Sequence, residues 1–186
     1  MIARATLILL ALSSTRAIAQ NSRPQDADLG PYVQRFAAEV GLRSLTKGLI
    51  GGEAEIRVWT GFGVTGVTLH RIVRVDGHWT AVRSVPIDHP ESLKSVALPD
   101  SIDWAGRWTS ERSRVFFDLA PRESRGVGYV PRNDGYAVVI EAAEGPRYHI
   151  VGWSEPPSGC TPRDHEFVRI LAALLPAELD WHCQTN

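Results

Sequence analysis

The sequence predicts an α+β fold: an antiparallel sheet of about five strands, set out as two hairpins, with three helices packed mainly on one face. Three observations carry this expectation. Segments with period-two alternation come in neighbouring pairs, joined by turn residues at Asp76-Gly77 and Gly145-Pro146, which is how antiparallel strands are connected. Three further segments repeat apolar residues at helical spacing. The strands are grouped rather than alternating singly with helices, which argues against a parallel sheet. The chain has 186 residues, 44 % of them hydrophobic and 22 % charged, enough to bury one sizeable core.

The elements follow in order. Leu29-Gly30-Pro31 opens the first helix, with proline tolerated in a first turn, and Tyr32, Val33, Phe36, Ala37 and Val40 form its apolar stripe up to Gly41. Glu53–Trp59 alternates, with Ala54, Ile56 and Val58 on one side and Glu55, Arg57 and Trp59 on the other. Val67–Val75 and Trp79–Val85 form a hairpin whose two-residue turn sets Arg74 opposite Trp79 and His70 opposite Arg83. Pro86 ends that ladder, and residues 87–99 read as a loop bracketed by prolines. Ser101 or Asp103 caps a second helix running to about Phe117. Residues 121–134 read as a long loop. Tyr136–Ala142 and Tyr148–Trp153 form the second hairpin. Thr161-Pro162-Arg163-Asp164 opens a last helix with Phe167, Val168, Leu171, Leu174 and Leu175 inward, ended by Pro176.

Residues 1–19 read as a secretory leader. Arg4 supplies the positive charge, residues 7–12 the short apolar core, and Ala17-Ile18-Ala19 a small-residue cleavage site. Residues 20–30 then form a flexible mature N-terminus and residues 31–186 one globular domain, located in the periplasm or secreted. The apolar core falls well short of the ~20 residues a membrane-spanning helix needs, and no second long apolar run exists, so no span is expected after cleavage. Loss of Arg4 and Arg16 with the leader takes the formal net charge from −1 to −3. Such a balance lacks the basic footprint of a nucleic-acid binder.

Export also decides how the two cysteines are read. Cys160 and Cys183 are expected to form a disulfide, closing a loop of about 24 residues around the last helix; the chain-entropy estimate of its contribution is roughly 3.4 kcal/mol. His165 and His182 lie near the same cysteines, but their spacing matches no standard zinc site, so no metal and no cofactor are expected.

Catalytic signatures such as G-x-S-x-G, a Walker A loop or H-E-x-x-H do not occur. Two polar groupings remain. The first is His70, Arg71, Arg83 and Arg57 with Trp59, Trp79 and Arg74 beside them. Its ligand-binding candidates are Arg57, Trp59, His70 and Arg83, which suit stacking on a sugar or pairing with an anion; cross-strand Arg–Trp packing on a solvated sheet face accounts for the same residues. The second is Glu141 or Asp134 with His149, the carboxylate–imidazole combination of a general base; a cross-strand ion pair, or a glutamate bonded to local backbone, is the plainer alternative.

Glu55-Ile56-Arg57-Val58-Trp59, Trp79, Asp134-Gly135-Tyr136, Ile140-Glu141, Tyr148 and the last amphipathic helix together resemble a pattern in uncharacterised exported bacterial single-domain proteins, over residues 53–175. The resemblance implies export and a single domain and transfers no catalytic residue. The sequence therefore favours a non-catalytic exported protein that binds a partner protein or an envelope ligand. An inhibitor or immunity-type role falls within that expectation, and an envelope hydrolase using Glu141 or Asp134 with His149 is the alternative.

Overall fold

A computed structural model describes residues 25–60, 67–87, 89–120, 137–154 and 161–175. Six antiparallel strands form one sheet in the order β4-β3-β2-β1-β5-β6. They are β1 (Ala54–Thr60), β2 (Thr68–Val75), β3 (His78–Ile87), β4 (His89–Ala97), β5 (Ala137–Glu144) and β6 (Arg147–Ser154). Four helices accompany them: α1 (Gln25–Glu39), α2 (Trp104–Arg107), α3 (Ser110–Asp118) and α4 (Pro162–Leu174). The α+β class and the two hairpins agree with the expectation. So does the register of the first hairpin, where Arg74 faces Trp79 and His70 faces Arg83. Asp76 and Gly77, with φ of 50° and 79°, adopt the left-handed conformation that a tight two-residue turn requires.

Alternation divides the sheet into two unlike faces. The first presents Ile56, Val58, Ile72, Ala81, Ile140, Ala142 and Val151, packed under Trp104, Trp108, Phe116, Phe167, Ile170, Leu171 and Leu174 of α2–α4. The second presents Trp59, Leu69 and Val139, covered by Val33, Phe36 and Ala37 of α1 together with Leu42. The helices are therefore not all on one side. Val33, Phe36 and Ala37 of the α1 stripe do face the core, but a helical stripe carries no information on which face of a sheet it will cover.

Three boundaries differ from the sequence reading. Helix α1 begins at Gln25, inside the stretch expected to be flexible, so Pro31 lies within the helix rather than in its first turn. The segment read as a proline-bracketed loop contains β4, which pairs with β3 from Val82–Ala97 to Ile87–His89. Few apolar residues and the presence of Pro90 and Lys94 hid it; these are features of an edge strand. Pro86 does mark the end of the β2–β3 ladder, whose last pair is Leu69–Ser84, while β3 itself continues against β4. The helix expected over 103–117 is two helices. Asp103 caps α2 by accepting from the Gly106 N–H at 2.8 Å. Thr109 starts α3 afresh by accepting from the Arg112 N–H at 3.2 Å, so Trp104 and Phe116 belong to separate helices. Helix α4 starts at a reciprocal capping box between Thr161 and Asp164.

The connection between α1 and β1 is held against the second hairpin. Leu49 N–H donates to Gly145 O at 2.6 Å and Gly145 N–H to Glu53 O at 3.1 Å. Gly48 lies so close that a Cβ there would stand 2.6 Å from Gly145 O, and its φ is +71°. Glycine is needed at this position on both counts.

Candidate functional site

The most polar part of the interior lies on the second face, at the centre of the sheet. Arg57 on β1 sits between Arg71 on β2 and Glu141 on β5, directly opposite each in the ladders. Glu55, Arg57 and Glu141 are almost wholly buried. The Glu55 carboxylate accepts four hydrogen bonds. Arg57 Nε and Arg71 Nε donate to Oε1 at 2.8 and 2.7 Å. Arg71 Nη2 and Arg43 Nε donate to Oε2 at 3.2 and 3.3 Å. Arg57 also donates to Glu141 Oε2 at 3.3 Å and to the Arg43 carbonyl at 2.7 Å. Beyond Glu141 the chain of contacts continues to the Tyr148 hydroxyl, 3.3 Å from Oε1, and to Gln34 Nε2 on α1, 3.4 Å from that hydroxyl.

Buried charges are tolerated only when paired and hydrogen-bonded, and the two carboxyls fare differently. Burial alone would raise Glu55, but the hydrogen bond from Arg71 and the charges of Arg57 and Arg71 outweigh it and hold the carboxyl below its usual range. Burial dominates at Glu141: one arginine and a phenol do not offset it, and its carboxyl is raised. Burial and the neighbouring Glu141 charge push Tyr148 up to about 12.

Comparison of the chain with protein-family models, curated proteins and solved structures finds no match.

The structure separates the residues singled out from the sequence. Arg57 and Trp59 are on the second face. His70 and Arg83 are on the first, because His70 pairs with Val58 and Arg83 with His70. The four ligand-binding candidates therefore do not form one surface. Arg57 is buried in the ion-pair network, and Trp59 is buried with its ring edge-on to Phe36, 5.7 Å between centroids. His70 is also buried, while Arg83 is exposed. Glu141 and His149 do not form a carboxylate–imidazole pair. Glu141 faces Ile150 across β5–β6 and His149 faces Ala142, so the two side chains project to opposite faces. His149 Nε2 lies 2.9 Å from the Leu119 carbonyl, with its ring edge-on to Phe116. The plainer expectation for Glu141, a cross-strand ion pair, is what the register produces. Asp134, Cys160, Cys183 and the leader lie outside the described residues.

A feature the sequence did not reveal lies beside the network. Helix α1, with Leu42 after it, packs on Trp59 of β1, Leu69 of β2 and Val139 of β5. A cavity of about 240 Å³ is lined by Val40 and Leu42 after α1, Leu69 and Arg71 on β2, Val82 and Ser84 on β3, and Ser95 on β4. The Ser84 and Ser95 hydroxyls are hydrogen-bonded at 2.8 Å. The only signal for this site was Arg71, already noted in the polar cluster. Its neighbours could not be listed without β4 and without knowing which face α1 covers.

Proposed function

We propose that the protein is a non-catalytic, exported binding domain that takes a partner or envelope ligand at the cavity between α1 and strands β2–β4. The observation that carries this reading is the division of the second face. The charged groups at its centre are spent on one another: Glu55 is answered by three guanidinium groups and Glu141 is buried against Arg57 and Tyr148. Beside them lies a cavity lined by four aliphatic residues, two serines and Arg71, which combines apolar wall with polar groups that can orient a ligand. Glu141 and His149 project to opposite faces, which counts against the Glu141 form of the hydrolase alternative. Export rests on the leader-like residues 1–19, and the inhibitor or immunity-type role is one form that partner binding would take.

Affinity capture from an envelope extract tests the reading, using full-length protein expressed with its leader and a cavity-filled variant, Val82→Phe. A partner or ligand retained by the wild type and lost from the variant supports it. Equal retention by both, with equal folding, refutes the site.

A further inference from the structure

We infer that the cavity beside Arg71 is a carboxylate site, suited to a carboxylate carried on a short aliphatic body; this rests on the binding reading above and specifies its ligand. Four of the seven lining residues, Val40, Leu42, Leu69 and Val82, are aliphatic. Two are serines, one is Arg71, and none is acidic. The Arg71 side chain is about a third exposed (32 %). Its Nε and Nη2 are engaged by Glu55, and among the described residues its Nη1 has no partner.

Arg71 is the one charged residue in the cavity lining. Arg71 has Glu55 as its only carboxylate among the described residues, and that one carboxylate is shared with Arg43 and Arg57. Arg57 is further balanced by Glu141, and Arg43 by Glu53 at 3.4 Å. The network thus balances, three guanidinium groups against three carboxylates, and Arg71 is the one of its guanidinium groups that lines the cavity. Glu55 holds the guanidinium plane in place, so its remaining N–H groups are preorganised for a planar acceptor. Of the Ser84–Ser95 pair one hydroxyl donates to the other, which leaves one hydroxyl hydrogen to donate to a ligand. Size restricts the body of the ligand. A cavity of about 150 Å³ admits benzene, and pockets for drug-sized ligands start near ~300 Å³. The volume of about 240 Å³ thus suits a branched chain of a few carbons. A free short-chain acid and the C-terminal end of a peptide with an aliphatic last residue share this chemistry.

The test titrates full-length mature protein by calorimetry and by amide chemical-shift mapping. The probes are 4-methylpentanoate against 4-methylpentanamide, and an acetylated tripeptide ending in leucine with a free or an amidated C-terminus. A charge-assisted hydrogen bond corresponds to about 10–100-fold in affinity, so each acid should bind that much more tightly than its amide. Shifts should centre on Arg71, Val82 and Ser84. The Val82→Phe variant, checked for folding by circular dichroism, should abolish both. Tighter binding of the small acid identifies a free carboxylate as the ligand, and binding of the peptide acid alone identifies a chain terminus. Equal affinity for acid and amide, or no binding by either acid at millimolar concentration, overturns the carboxylate assignment. Because the wild-type comparison needs no variant, poor folding of Val82→Phe does not remove the test. If partner capture still depends on the cavity while neither acid binds, this inference fails and the binding reading stands.

Discussion

Replacement of Arg57 by methionine removes the centre of the buried network at little cost in volume. Arg57 makes one hydrogen bond to Glu55, one to Glu141 and one to the Arg43 carbonyl. Glu55 tolerates the loss, since Arg71 and Arg43 still donate to both of its oxygens. Glu141 does not, because only the Tyr148 hydroxyl remains, at 3.3 Å. A buried ion left without its partner costs about 3–5 kcal/mol. For a chain of this size each kcal/mol moves the melting temperature by about 2–4 °C, so Arg57→Met should melt about 6–20 °C lower at pH 7. Urea unfolding followed by tryptophan fluorescence measures the loss. Adding Glu141→Gln to Arg57→Met should restore part of it, since the group left behind is then neutral, with a coupling of about 1–3 kcal/mol between the two sites. A loss below about 1 kcal/mol for Arg57→Met would be the value of a solvent-exposed pair and would refute the burial argument. So would strict additivity of the two substitutions.

Three more expectations follow, two from the structure and one from the sequence. Glu141 is raised in the folded state above 4.5, so the native protein holds its proton more tightly; this contribution is present below pH 4.5 and is lost as pH rises through the raised value. Glu55 is lowered, so its contribution is present above pH 4.5 and lost as pH falls through the lowered value. These two groups together should give a stability maximum near pH 4.5, and Glu141→Gln should flatten the alkaline side of that maximum while leaving the acid side; an unchanged profile by pH-dependent urea unfolding counts against the assignment. Gly48→Ala should destabilise by about 1–3 kcal/mol through its positive φ alone, with the contact to Gly145 adding to it, read as a lower urea midpoint. Cys160 and Cys183 are expected to be bonded in the exported protein, with Cys160→Ala costing roughly 2–4 kcal/mol; two thiols alkylated without reductant, by intact mass, would show that they are not.

What the sequence made legible was local. Asp76-Gly77 fixed one hairpin and its register, because a two-residue turn leaves no choice of partners. Thr161 and Asp164 announced α4 through a capping pattern confined to four residues. What it concealed depends on contacts between distant segments. Strand β4 is held by pairing to β3 rather than by its own alternation. Arg57 and Glu141 are 84 positions apart, and only the placement of β5 beside β1 brings them together. The divergence of Glu141 and His149 is set instead by the register of the β5–β6 hairpin, in which residue 141 faces residue 150 and residue 149 faces residue 142. The cavity was hidden for a related reason, since its wall combines the end of α1 with three strands, one of them unrecognised.

Amide hydrogen exchange on the captured complex, compared with the free protein, tests the central claim most directly. If the partner or ligand occupies the cavity, protection should appear at residues 69–71 of β2, 82–84 of β3 and around Ser95 of β4, with little change in α3 and α4. Protection confined to the α3–α4 side or to the β6 edge, with these amides unchanged, would contradict the account.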